Sequence, residues 1–359
     1  MRPPVSGVAR SGPAGGGLSG GVSGGPSGGS GSGGLRRDPL SGAWTVMATG
    51  RGARPHDDTP RCANGAEAGA APAPPAACPF CEGHEQMTPP ELDALRPDGS
   101  APDTPGWAVR VVPNKYPVFE GGHEVIVHSP SHDRPLSTLT LPEVTDVVTM
   151  YQRRIAALCA GGAAAVAVIL NHGREAGASL SHPHSQVFAT PIVPPVLVSE
   201  LEQFARYQVK YGRCLLCDML GTTLAEGSRV VFDGPFVAWT PDASRWPYEL
   251  RLAPRAHEPD FLRTDPGAVA RALRRALRAL ASATADGALN AWLHTVPCRS
   301  TDGKAEPQFH WHIEIAPRLA TLAGFELGTG IGVGTLDPVE AAARLRAELP
   351  PADAQPARG

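Results

Sequence analysis

The chain is written twice, and this duplication restricts its fold more than any single residue does. The run Cys78-Pro79-Phe80-Cys81 returns as Cys214-Leu215-Leu216-Cys217. Arg110-Val111-Val112, followed by Pro113-Asn114-Lys115-Tyr116, returns as Arg229-Val230-Val231, followed by Phe232-Asp233-Gly234-Pro235. His123 to Arg134 aligns with Tyr248 to Pro259, which sets Glu124 and His132 over Glu249 and His257. Each half then enters an amphipathic helix and closes with an apolar strand and a His-x-His, at His182-Pro183-His184 and at His310-Trp311-His312. Four landmarks in one order argue against chance, although each alone is weak.

The repeated unit reads as α+β. Strand runs at 125–129, 250–254 and 311–316 alternate and are joined by turns, the pattern of antiparallel strands. Val144, Val147, Val148, Tyr151, Ile155 and Leu158 recur at helical spacing, and Asp265-Pro266 offers an N-cap with proline at the first helical position. The expectation is two tandem halves, 35–194 and 195–349, each an antiparallel sheet packed with helices, with the boundary near residues 191–198. Ser199-Glu200-Leu201-Glu202 reads as a capping box that starts a linking helix, and Asp337-Pro338-Val339-Glu340 starts a last one. The Gly/Ser/Pro/Ala-rich stretch 1–34 and the end 350–359 read as disordered tails, and Ala66 to Ala77 as a loop.

Composition excludes several classes. A formal net charge of -3 with no long basic block argues against nucleic acid as a partner. No signal-type segment and no run of about 18 apolar residues occurs, so the reading is a cytoplasmic chain without a membrane partner. Four of the seven cysteines fall in the two Cys-x-x-Cys pairs, a pattern that argues for metal or redox chemistry rather than a disulfide framework. Cys62, Cys159 and Cys298 are left over. Cys159, on an apolar helical face, reads as a buried residue.

Zinc takes about four nitrogen or sulfur ligands. The candidate sets are Cys78, Cys81, His132 and His182 in the first half and, by correspondence, Cys214, Cys217, His257 and His310 in the second, for one or two zinc ions per chain. The long Cys-to-His separation is unlike a zinc finger, so the duplication carries this assignment. Neither pair opens a helix after a parallel strand as a thioredoxin motif would.

The segment from Asn171 to Gln186 is the most informative in the chain. In an extended run His182, His184 and Gln186 project to one side. Gly173, Gly177 and the small residues around them let backbone N–H groups approach an anionic phosphate. A neutral imidazole whose other nitrogen is held by a hydrogen bond is a competent nucleophile at phosphorus. Gln186 can donate to a phosphoryl oxygen without offering a proton for hydrolysis, which suits transfer better than hydrolysis. The second His-x-His lacks a Gly/Ser-rich cradle and has Glu314 in place of glutamine, so His312 reads as structural.

His182-Pro183-His184-Ser185-Gln186 closely resembles the active-site strand of the galactose-1-phosphate uridylyltransferases, the transferase branch of the histidine-triad superfamily, in which Gln replaces the third histidine of the hydrolases. The resemblance covers about residues 35 to 349. It implies two histidine-triad-like halves, a nucleotidylated His184 with Gln186 as its phosphoryl partner, and Asn171 and Ser179 holding the phosphates. Asp38-Pro39-Leu40-Ser41-Gly42-Ala43-Trp44 with Arg51 and Arg54 resembles the family's opening strand and phosphate-side arginines. Asn114 falls at its nucleoside-contacting asparagine, and Phe325-Glu326 resembles the region that reaches the sugar.

The implied reaction is a double displacement of the UDP-glucose:hexose-1-phosphate uridylyltransferase type, in galactose metabolism. Its partners are a nucleotide sugar and a sugar 1-phosphate, on a homodimer with shared active sites. Lys115, Ser185 and the second Cys-x-x-Cys depart from the uridylyltransferase pattern. Phe325-Glu326-Leu327-Gly328-Thr329-Gly330 and the paired Cys-x-x-Cys also resemble the ADP-glucose phosphorylases, the alternative reading. A non-catalytic zinc module is a third reading, opposed by the intact His184/Gln186 pair.

Overall fold

The protein is described by a computed structural model over residues 34–53, 78–298 and 307–350. The expected tails, apart from Gly34 and Pro350, lie outside these residues, as do Arg54, Cys62 and the expected loop 66–77. The repeat is visible in the topology. In the first half, β4 (Val109–Pro113), β5 (His123–Val127), α1 (Leu141–Ala160), β6 (Ala165–His172) and β7 (His184–Thr190) follow one another. In the second, β9 (Phe236–Trp239), β10 (Leu250–Pro254), α4 (Pro266–Ala283), β11 (Leu289–His294) and β12 (His312–Pro317) repeat the order. With β3 (Asp93–Leu95) and β8 (Val230–Phe232) as edges, the sheet runs β3-β4-β5-β7-β6-β11-β12-β10-β9-β8.

Every pairing in that sheet is antiparallel. The halves thus do not form two separate sheets. They join edge to edge through β6 and β11, with Asn171 opposite Asn290 and Leu170 opposite Ala291. Each half removes an open edge from the other, which is one reason such a unit is stable as a pair. A smaller sheet of β1 (Leu35–Arg37), β2 (Trp44–Met47) and β13 (Gly332–Gly334) lies apart from it in hydrogen bonding.

Both helices of the repeat cover the same face. Val144, Val147, Val148, Tyr151 and Ile155 of α1 join Val269, Leu273, Ala276, Leu277 and Leu280 of α4 in one core with Ile126, Leu250 and Leu252 of the sheet. The helical spacing read from the sequence is therefore the buried stripe. Thr140 caps α1 in a box with Glu143, and Asp265 caps α4 through Ala268 N–H with Pro266 behind it. On the opposite face, α2 (Pro195–Tyr211) and α3 (Leu215–Glu226) pack Phe204, Leu216 and Leu220 against Trp239, Phe309 and Leu40.

Two local expectations are corrected. The helix expected from a capping box at Ser199 begins a turn earlier, at Pro195. Ser199 bonds instead to the Ser41 carbonyl, while Glu200 is buried. Cys159 is not a lone buried thiol: it is joined to Cys298 by a disulfide, which ties the end of α1 to the segment after β11. Asp337 caps α6 (Pro338–Ala347) as expected. Among the described residues no helix is long and apolar enough to cross a membrane.

Candidate active site and metal centres

β7 alternates as its pleat requires. Ser185 turns toward α1, where Tyr151 Oη lies 2.6 Å and His128 Nε2 2.8 Å from its hydroxyl. His184 and Gln186 turn the other way. His184 Nδ1 donates to the His182 carbonyl at 2.8 Å, which fixes the tautomer and leaves Nε2 as the bare nitrogen. Burial holds this imidazole below the ordinary histidine range, and the bond to the His182 carbonyl only partly offsets it. Phe80, from the first Cys-x-x-Cys, stands edge-on to the ring at 5.3 Å between centroids. The result is a neutral, oriented imidazole, the form that can attack an electrophile.

His184 lines a partly open cleft together with Asn171, Gly173, Ala178 and His182, and Leu277, Asp286 and Leu289 of the second half line its other side. Gly173 has φ +82° and opens a 3₁₀ turn over Arg174–Ala176 that Gly177, at φ +86°, terminates. Both conformations favour glycine. The turn carries the backbone around one rim of the cleft.

Gln186 is held from behind. His123 Nδ1 accepts from Val118 N–H at 3.1 Å, so its Nε2 carries the hydrogen and donates to Gln186 Oε1 at 2.8 Å. The Gln186 NH₂ is then turned away from His123. His123 stacks on Phe188 at 4.1 Å, and Asn114 Nδ2 lies 3.1 Å from the same nitrogen. His123 was not singled out in the sequence, because the repeat aligns it with Tyr248 and hides its role.

Other expected substrate residues are placed differently. Ser179 is exposed and flanked by the cleft-lining Ala178 and Leu180. Arg51 is exposed on a 3₁₀ turn after β2. Phe325 is exposed on α5 (Gly324–Thr329), and the Glu326 carboxylate accepts from Ala323 N–H at the start of that helix. None of these four lines the His184 cleft of its own chain.

The two Cys/His groups assemble as the duplication predicts. Cys78, Cys81, His132 and His182 converge, as do Cys214, Cys217, His257 and His310. Sulfur-to-Nδ1 separations are 3.7, 3.4 and 3.7 Å in the first and 3.8, 3.6 and 3.5 Å in the second. A tetrahedral ion with metal–sulfur near 2.3 Å and metal–nitrogen near 2.0 Å spaces its ligands about 3.6 Å apart.

All four imidazoles turn Nδ1 inward and spend Nε2–H on an oxygen. His182 donates to Ser129 O at 2.8 Å, His132 to Ser181 Oγ at 2.9 Å, His257 to Pro307 O at 2.7 Å and His310 to Pro254 O at 3.0 Å. That is the outer-shell arrangement that presents a bare nitrogen to a metal. Without a cation, burial and the adjacent Cys78 push the Cys81 thiol up to about 11. These donors fit a metal ion.

A third group, Glu200, His294 and His312, was missed. His312 Nδ1 donates to the His310 carbonyl at 3.1 Å, the same bond that His184 makes to His182. Its Nε2 is sealed 3.8 Å from Glu200 and 4.0 Å from Glu314, with no hydrogen bond. Burial would raise the Glu200 carboxyl, but His294 and His312 hold it well below the carboxylate range. The available signal was a carboxylate on the apolar stripe Leu197, Glu200, Phe204 of α2.

Comparison with known proteins agrees with this geometry. Residues 115–194 match the N-terminal domain of galactose-1-phosphate uridyl transferase. The chain is 31% identical over 340 residues to an ADP-glucose phosphorylase of Arabidopsis thaliana, covering 87% of this chain and 92% of that one. It is 24% identical over 328 residues to a galactose-1-phosphate uridylyltransferase of Thermotoga maritima, covering 87% and 97%. The crystal structure of an ADP-glucose phosphorylase from Arabidopsis thaliana with bound ADP-glucose superposes with a TM-score of 0.75 at 30% identity, over 88% of this chain and 99% of that one. The chain belongs to the galactose-1-phosphate uridylyltransferase family, nucleotidyltransferases whose members here include ADP-glucose phosphorylase.

Proposed function

We propose that the chain moves a nucleoside monophosphate from a nucleotide sugar to a second phosphate-bearing acceptor through a covalent adduct on His184. The observation that carries this reading is the His184 ring, whose Nδ1 is committed to the His182 carbonyl so that Nε2 carries no hydrogen, on a residue that borders the cleft; burial favours its neutral form. Nε2 attacks the α-phosphorus, a phosphorus–nitrogen bond forms, and the bond to the departing sugar 1-phosphate breaks. A phosphate oxygen of the acceptor then attacks the same phosphorus and restores the imidazole. The acceptor is already ionised, so it needs no external base.

Gln186 presents its NH₂ to a phosphoryl oxygen, and Asn171 with the 173–177 turn receives the remaining phosphate charge, the positioning-plus-electrostatics pattern of such reactions. The first Cys₂His₂ group would hold zinc and, through His182, brace the start of the strand that carries His184, and the second, through His310, would do the same for the strand of His312; four protein donors leave no position for water. The half 35–194 carries the chemistry and 195–349 supports it. Arg51, Phe325 and Glu326 lie off the cleft of their own chain, which favours a homodimer in which they serve the neighbouring site.

With UDP-glucose as donor and a hexose 1-phosphate as acceptor the enzyme is a uridylyltransferase. A second reading is favoured by the 31% identity to an ADP-glucose phosphorylase: an adenylyl adduct discharged by inorganic phosphate. Intact mass after incubation with UDP-glucose or ADP-glucose, separately, decides between them. A uridylyl adduct discharged by galactose 1-phosphate is expected on the first reading and an adenylyl adduct discharged by phosphate on the second. An equal adduct on a His184→Gln protein would refute both.

A further inference from the structure

We infer that Asn290, in the half that carries no nucleophile, is a positioning residue for the Asn171 amide, and that Arg318 fixes Asn290 in turn; this rests on the reading of the His184 cleft given above. Asn290 and Asn171 are direct partners across the β6–β11 junction. Asn290 is buried, and its amide is fully engaged. Its Nδ2 donates to Asn171 Oδ1 at 2.7 Å and to the Ala176 carbonyl at 2.8 Å. Its Oδ1 accepts from Arg318 Nε, whose guanidinium lies over the Trp246 ring at 4.2 Å.

This set of bonds defines which way both amides point. A guanidinium has donors only, so the Asn290 oxygen must face Arg318 and its NH₂ must face Asn171. Asn171 is then obliged to turn its oxygen back to Asn290, leaving its own NH₂ for the cleft it lines with His184. Reversal would put a carbonyl oxygen, not a donor, toward an anionic phosphate. The second Asn290 hydrogen bond holds the last residue of the Arg174–Ala176 turn, so one side chain sets both the asparagine and the backbone around it. No spacing rule in the sequence connects residues 171 and 290.

The test measures single-turnover formation of the nucleotidyl–His184 adduct from UDP-glucose and from ADP-glucose. Asn290→Ala is expected to slow adduct formation at saturating donor by roughly 10- to 100-fold, the scale of a misplaced contact. Asn290→Asp keeps the size and the acceptor for Arg318 but loses both donors, and is expected to be as slow; it carries the test if Asn290→Ala does not fold. In an Asn171→Ala background, Asn290→Ala should cost clearly less than in the parent, the remaining loss reflecting only the bond to the Ala176 carbonyl, because coupled residues are not additive. Arg318→Met should slow the reaction less than Asn290→Ala while melting near the parent temperature. Additive losses at 171 and 290, or parental adduct rates in both Asn290 variants, would overturn this inference alone. No adduct from the unaltered chain would overturn the reading of the site and this inference with it.

Discussion

Gly173→Ala should be among the most damaging small substitutions in the protein, and its cost can be worked from two contacts. Gly173 holds φ +82° with ψ 156°, a region that residues other than glycine leave almost empty, at a strain of about 1–3 kcal/mol. A Cβ at that position would also lie 2.6 Å from Ala288 Cβ and 3.0 Å from Ala288 Cα. Overpacking of that kind adds about 1–3 kcal/mol. Urea unfolding should therefore show a loss of about 2–6 kcal/mol with an unchanged slope. The two terms are separable, because Ala288→Gly removes the Cβ clash and leaves the backbone strain. The double variant Gly173→Ala/Ala288→Gly should thus recover about 1–2 kcal/mol over Gly173→Ala alone. A single variant as stable as the parent would refute the close approach of the two halves here; failure of Ala288→Gly to recover any stability would refute the contact as its cause.

Three further outcomes are expected. Burial alone would raise the Asp38 carboxyl, yet the charge and hydrogen bonds of Arg251, with those of Ser41, hold it well below its usual range; Asp38→Asn should cost about 3–5 kcal/mol in thermal or urea melts by leaving Arg251 buried with one partner fewer. Because that folded-state pKa is depressed, the contribution is complete above the unfolded value near 4 and is lost as pH falls toward the folded one, so the parent should lose more stability than Asp38→Asn on acidification below about pH 4. Cys81→Ser should remove about one zinc per chain by elemental analysis while leaving the Cys214 group loaded, and an unchanged metal content would exclude the first group as a site. Peptide mapping of unreduced, alkylated protein should recover Cys159 and Cys298 on one linked pair of peptides; separate alkylated peptides would exclude the disulfide.

What was legible in the sequence is what periodicity and duplication encode locally. The apolar stripe of α1 and the caps of α4 and α6 follow from local spacing, and both Cys/His groups from the duplication, where one copy checked the other. Long-range pairing was not legible. Nothing in 165–172 or 289–294 says that these two strands meet as edges and make one sheet of two, because each run is as apolar as a strand buried within its own half would be. The same blindness hid Asn290, which acts across that seam, and Glu200, whose neighbours in sequence imitate a capping box. His123 was hidden for another reason: the copy that helped elsewhere has tyrosine at the matching position.

The two His-x-His strands show how a duplicated unit divides its labour. His184 and His312 share the same bond from Nδ1 to the carbonyl two residues earlier, so both rings are oriented alike. They differ in what meets Nε2. In the first half the histidine borders a cleft beside a glycine-rich turn; in the second its Nε2 meets Glu200 and Glu314 in a fully buried setting, where no substrate can reach it. The sealed copy is not idle on this account, because β11 lies directly beside the active copy's β6. Across that junction Ala288 packs close to Gly173 and Asn290 bonds Asn171. One half thereby becomes the support that holds the other half's phosphate contacts in place, which predicts that variants on β11 impair adduct formation at His184 without touching the nucleophile.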